Sequence, residues 1–479
     1  MMESPERAPT DCSALYGQGP APEWARPAGP VPLEKGPHLL VDDFLIERIA
    51  PTITRETLRP ARDPAMPNPI VTGPVDRCFQ PFFRVSRAPE TGRWRVWYGA
   101  WRDDLCKDRS LLAYMESADG IHWQRPPRIC DTPEIQFGSK VIDEGPGCPD
   151  PDTRFRYSYW FGGGLRIAVS ADGLRWRPLV DEVVLPHDHD INNVWFDPLR
   201  RRYVATFSTN IPSPRWAGRR RTTMQAFSAD LLHWSPPAYV LVANPAQGDE
   251  GETQFYAMSG YLARGSLVMG MVKVLRDDLT AERVEPGAFG IGYTALAWSR
   301  DGEHWMRDRA PFFEPQPDPA AWDHSHAWID EQVIVDDAVR LYYGGYKQGH
   351  KANRFTERQI GLVTMLLDRY AARCGSGLMR TVPFRVGCSC AGLRVNVDAS
   401  QGELRVQALD AGTNEPLPGL SFETCRPIRT DGLRVPVVWT HPAAAAAWQA
   451  AGDRCVRLEF QFDKARLFGF EAECNGKAT

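Results

Sequence analysis

The chain has 479 residues, with 60 acidic side chains against 56 basic ones and a formal net charge of −4. That balance offers no basic field for nucleic acid or an anionic membrane surface, and no run of 18 apolar residues is there to span a bilayer. Sixteen Trp, 40 Gly and 41 Pro point to many short strands joined by turns, in a chain long enough for more than one domain.

The opening residues lack the apolar stretch of a secretory signal, and the 11 cysteines scatter without a Cys-x-x-Cys pair. Cys388 and Cys390 alternate as buried thiols would. For a chain with no leader removed, the expectation is a reducing, cytoplasmic compartment.

Residues 1–36 are Pro-rich and without periodicity, and read as an irregular arm. His38–Ile46 is a short apolar strand interrupted by Asp42 and Asp43, expected to pair with the last repeat unit and latch a ring. From there the sequence repeats itself. Ser-x-Asp, three residues, then Trp occurs at Ser117–Trp123, Ser170–Trp176, Ser228–Trp234 and Ser299–Trp305, at intervals of 53, 58 and 71 residues. Such intervals suit propeller blades. Asp-Gly in three copies predicts a tight hairpin with positive φ values, on which the Trp packs. Aromatic-rich strands precede each hairpin, for example Arg93–Tyr98, Arg154–Trp160, Arg202–Phe207 and Gln254–Met258. A fifth unit follows at Ala327–Thr364, its hairpin reduced to Leu367–Tyr370. The expected fold is all-β: a five-bladed β-propeller over 37–372, then a small C-terminal β-sandwich over 378–475, where strands such as Leu393–Val397 and Cys455–Phe462 alternate in polarity.

A propeller followed by a sandwich resembles the furanosidase-type glycoside hydrolases of families 32, 43 and 68. Leu40-Val-Asp-Asp-Phe-Leu-Ile46, Gln254-Phe-Tyr-Ala-Met258 and Tyr342-Tyr-Gly-Gly345 followed by His350 resemble uncharacterised bacterial family-32-like hydrolases more closely. The Trp-x-Asn-Asp-Pro-x-Gly and Arg-Asp-Pro phrases of family 32 are absent, which removes the basis for fructosyl specificity.

The resemblance implies carboxylates from separate blades converging at one mouth of the axis, one acting as acid and one as base or nucleophile. Glu252, heading an inner strand, is the candidate acid, with Glu250 second. Asp190, three residues before Asn193, is the third carboxylate that orients substrate or tunes the acid. Asp76 and Asp43 are equal candidates for base or nucleophile, with Asp42 behind them. Asn193, Trp322, Asp323, His326, His350 and Arg358 are candidate substrate contacts. His187 and His189 share a strand face, but polar mouth residues without an ion are the favoured reading, and no metal or cofactor is expected; a calcium in the central channel, as in some relatives, is left open. Arg219–Arg221 reads as a solvated loop face. A small oligosaccharide or glycoside is the expected partner, and the oligomeric state is undetermined. The alternative is a propeller that binds a glycan or a protein on its Trp-rich mouth without hydrolysing anything.

Overall fold

A computed structural model describes residues 26–474 apart from 214–217, 244–248, 250–252, 280–289, 388–389 and 452–453. Strands make up about half of the structure and helices very little, with short ones at Gly73–Asp76 and Ala444–Ala450. None of their helices is long and apolar enough to cross a membrane.

Antiparallel units follow one another along the chain. Cys78–Arg87 begins the first, Phe137–Asp143 the second, Asn192–Asp197 the third and Thr253–Arg264 the fourth. His326–Val335 begins another, joined to the fourth by one parallel bridge between Gly292 and His326. These leading strands pack each against the next, and His326–Val335 returns to Cys78–Arg87. The ring therefore closes around an axis, as in a propeller.

The last unit has three consecutive strands, His326–Val335, Ala338–Tyr346 and Gln359–Leu366. Its free edge is covered by the segment preceding the first unit, through bridges Ala61–Thr364 and Val71–Ile360. The expected latch at His38–Ile46 is thereby corrected. His38–Leu39 pairs instead with Gly469 and Phe470 of the C-terminal sheet. Its residues serve two cores: Leu39 and Val41 pack with the ring, Leu40 and Leu45 with the C-terminal sheet. The arm also has order before residue 36, because Val31–Pro32 pairs with Phe384–Arg385.

The four Ser-x-Asp hairpins share one local design. In the first, Ser117 Oγ accepts from Gly120 N–H at 2.9 Å, and Asp119 Oδ1 accepts from Ile121 and His122 N–H at 2.8 Å each. The other three repeat this set at Asp172, Asp230 and Asp301. Positive φ falls on the residue after the Asp, Gly in three copies and Leu231 at φ 70° in the fourth, and not on the Asp itself. The aspartates thus cap their own turns. Trp123, Trp176 and Trp305 are buried at 5%, 6% and 9% exposure.

Beyond the ring, one ten-stranded sheet holds the C-terminal residues together with residues 31–57. Its spine is Cys455–Cys474, whose first half pairs with Glu403–Asp410 and second half with Cys390–Asp398, while Ala371–Thr381 runs along its other edge. Leu393, Val395, Leu404, Val406, Leu458 and Phe460 close a separate core beneath it.

Candidate active site

The leading strands run in the same sense around the ring, so the residues at their starts meet at one mouth. Tyr256 and Trp328, each near the start of its strand, stack at 4.9 Å. His350 meets Tyr256 edge-on at 4.8 Å, and His326 stacks on Tyr346 at 4.7 Å. Together they make a packed, buried aromatic cluster at this end of the ring.

A polar chain runs beside this cluster. Asp190 Oδ1 lies 3.3 Å from His189 Nδ1, and Arg221 Nε donates to His189 Nε2 at 3.3 Å. Arg221 also donates to Gln254 Oε1 at 2.8 Å and approaches Asp277 Oδ2 at 3.4 Å. Gln254 in turn donates to Asp277 Oδ2 at 2.9 Å.

Burial pushes the Asp190 carboxyl above the usual carboxylate range, against the pull of Arg221, Arg354 and Arg358. The neighbouring imidazoles are pushed the other way. Burial, with Arg221 beside it, lowers His189 to about 3; His326 falls well below the ordinary value through burial and Arg358. His350 falls too, through burial and then His326. The mouth therefore combines imidazoles that stay uncharged near neutral pH with one carboxyl raised above the usual carboxylate range.

Of the residues singled out from the sequence, Asp190, His326, His350 and Arg358 come together here. Asn193 does not. It donates to Met258 O at 3.2 Å and lines a narrow cleft of about 260 Å³ toward the opposite end of the axis, with Lys140 and Glu331. Glu252 and Glu250 lie outside the described residues.

The two equal candidates for base need correction. Asp76 is fully buried, gripped by Arg125 at 2.7 and 2.9 Å and by Thr72 N–H at 2.8 Å, so its oxygens are spent on structure. Asp43 is exposed and pairs with Arg373 at 2.8 Å on the C-terminal sheet, while Asp42 is buried against Arg300 at 2.7 Å. Trp322 and Asp323 also stand apart. Trp322 stacks on Tyr343 at 5.3 Å, and Asp323, fully buried, binds Arg62 at 2.7 Å and Tyr343 at 3.0 Å, pinning the N-terminal segment to the last unit.

Sequence reasoning missed Arg221, which was read as a solvated loop face, as well as Gln254, Asp277 and Arg354. The signal for Gln254 was present: Gln254 and Tyr256 alternate onto one strand face. Asp277 ends the second strand of its unit, and Arg354 sits in a loop; neither position marks itself in the sequence.

Deeper on the axis, Lys140 donates to Glu331 at 2.9 Å and to Asp330 at 3.3 Å, and Lys273 pairs with the other oxygen of Asp330. Two ammonium groups already hold these two carboxylates, so Asp330 and Glu331 are not free to coordinate a calcium ion. Among the described residues no group of three or more His, Cys, Asp and Glu is placed to hold a metal. His187 has both ring nitrogens buried without a partner and packs on Phe207 at 4.8 Å.

No family model matches the chain. An uncharacterized protein of Mycobacterium tuberculosis, in strains CDC 1551 and H37Rv, is 31% identical over 98 residues, which cover 18% of this chain and 31% of that protein. The chain thus spans about a third of the length of the curated relatives that it matches. Among solved structures, one from work on the GH130 family of mannoside phosphorylases and its glycoside hydrolases is 14% identical, with a TM-score of 0.42, over 67% of this chain and 97% of that one. A glycosyl hydrolase from Bacteroides ovatus is 14% identical, with a TM-score of 0.41, over 68% and 98%. A family 43 arabinoxylan arabinofuranohydrolase from Bacillus subtilis is 8% identical, with a TM-score of 0.39, over 86% and 100%. At those scores the likeness is loose, and these solved structures resembling the chain come from work on glycoside hydrolases.

Proposed function

We propose that this protein is a glycoside hydrolase whose active site is the mouth of a five-bladed propeller and whose substrate is a small oligosaccharide or glycoside. The observation that supports it most is Asp190: a carboxyl that burial raises above the usual carboxylate range, beside the buried aromatic cluster at this end of the ring. Cleavage needs a proton on the leaving oxygen and a second carboxylate that activates water or attacks the anomeric carbon. Asp190 donates that proton as the C–O bond breaks, and becomes a carboxylate that the arginines around it stabilise. Asp277, ion-paired to Arg221, is the second carboxylate among the described residues. Glu252, two residues ahead of Gln254, keeps its claim on sequence grounds alone.

The test is a screen of aryl furanosides and pyranosides, followed by Asp190→Asn on whichever substrate turns over. The substitution keeps shape and hydrogen bonding but removes the proton, so turnover of a poor leaving group should fall about 10²–10⁴-fold, and that of an activated aryl leaving group less. Because the protonated acid is the active form, wild-type rates should decline as pH rises through its raised pKa. Wild-type turnover by Asp190→Asn would remove Asp190 from the chemistry. Glycans bound without cleavage by the wild type would leave a binding propeller.

A further inference from the structure

The mouth holds more positive charge than its described carboxylates balance. Arg221 is engaged by Asp277 and Gln254. Arg354 and Arg358 are not so engaged, although both are close enough to act on Asp190, Tyr346 and each other. Arg358 is 6% exposed, with its guanidinium 5.0 Å over the Tyr346 ring. Two of its nitrogens donate to backbone carbonyls, of Phe79 at 3.2 Å and His350 at 2.8 Å, and its buried Nε has no partner. Arg354 has no hydrogen bond or ion pair with any described residue; burial and then Arg358 lower it from its ordinary value.

Two guanidinium groups that share a partly desolvated pocket repel each other, and burying a charge without a partner is costly. Evolution has cheaper ways to line a site for neutral hydroxyls, such as Asn, Gln or Ser. Planar guanidinium forks are instead the match for an oxyanion, which they bind through paired charge-assisted hydrogen bonds. The buried aromatic cluster of Tyr256, Trp328 and Tyr346 backs the arginines and holds the Arg358 guanidinium over Tyr346.

We propose that the substrate is an anionic sugar, with its carboxylate, sulfate or phosphate group held between Arg354 and Arg358 while the glycosidic oxygen faces Asp190. The identification of the mouth as a sugar site rests on the hydrolase reading above; the anion site rests on the arginines. With the anion in place the unbalanced charge is neutralised, and Asp190 loses part of the cationic field that favours its ionised form.

The test is calorimetric titration of the full chain with D-glucuronate, D-galacturonate, glucose 6-phosphate, glucose, galactose and inorganic phosphate, at low and high salt. Charged sugars should bind at least about tenfold more tightly than their neutral counterparts, the weight of one charge-assisted hydrogen bond. That preference should shrink as salt is raised. Arg354→Gln, at a residue that makes no hydrogen bond to the rest of the described structure, should abolish the preference without lowering the melting temperature, and Arg354→Lys should restore part of it. Equal binding of charged and neutral sugars, unmoved by Arg354→Gln, would overturn the anion site and leave the hydrolase reading standing. Binding of inorganic phosphate with no sugar of either kind would keep an anion site and overturn the sugar reading. Comparing the uronates with glucose 6-phosphate identifies which oxyanion the site takes.

Discussion

Replacing Asp330 by Asn should be among the most damaging single changes in the ring. Asp330 is 1% exposed and accepts from Phe83 N–H at 2.8 Å, from Lys140 and from Lys273. Burial would raise its pKa, yet Lys140 and Lys273 hold it below the ordinary value. Lys273 is fully buried and lowered to about 8 by that burial, with Asp330 opposing the shift. Asp330 and Glu331 thus balance the two buried ammonium groups of Lys140 and Lys273, with the partly exposed Arg84 also on Glu331 at 2.9 Å. Asp330→Asn keeps a group able to accept from Phe83 N–H but leaves two ammonium groups facing one carboxylate, a broken buried pair that costs about 3–5 kcal/mol. Against a typical domain stability of about 5–15 kcal/mol, that is a large share. Adding Lys273→Met should recover much of it, because the thioether lies over Phe82, whose ring centroid is 4.0 Å from Lys273 Nζ, and neutrality is restored. Urea unfolding followed by Trp fluorescence measures both variants. A loss under about 1 kcal/mol for Asp330→Asn, the size of an ordinary point mutation, would refute the reasoning, as would a double variant weaker than the single one.

Two further outcomes are expected. Trp123→Ala, Trp176→Ala and Trp305→Ala should each lose about 3–5 kcal/mol, and Trp234→Ala less because Trp234 is only partly buried; equal denaturant midpoints for all four would contradict this. Stability should fall as pH drops from 6.5 toward 4, because burial lowers His38 to about 4, so the unfolded chain takes up its proton first. That shift corresponds to about 3 kcal/mol for His38, and His38→Gln should make the pH dependence of the melting temperature shallower over this range, the other buried imidazoles keeping their share.

The ring was legible because its hairpins repeat a local chemistry, Ser and Asp side chains capping their own backbone, that needs no distant partner. Of the candidate site, the sequence singled out Asp190, His326, His350 and Arg358, which the fold brings to one end of the ring. Asp76 and Asp323 misled because an acid ahead of an inner strand looks the same in sequence whether it faces substrate or an arginine. Their partners, Arg125 and Arg62, stand 49 and 261 residues away. Lys140 and Lys273 did leave a trace. Each is a lone cation inside an apolar strand, Lys140-Val-Ile142 and Met271-Val-Lys-Val274, and a charge so placed must find a buried carboxylate. Asp330-Glu331, inside another apolar strand, was the pair to seek.

The pairing of residues 31–57 has a consequence for synthesis. Among the described residues the strand Ile53–Thr57 finds its partner in Ala371–Thr381, and His38–Leu39 in Cys455–Cys474. On a ribosome that adds about 5–20 residues per second, Ile53–Thr57 waits roughly 20–60 s for its neighbour to be made. Throughout that interval Ala61 and Val71 cannot yet cover the last unit, so the first blades emerge into an open arc with unpaired edges. Closure of the ring must thus wait for the last unit, although the earlier units can pair within themselves. Chaperone demand during translation, rather than after release, is where a destabilised variant should first show itself.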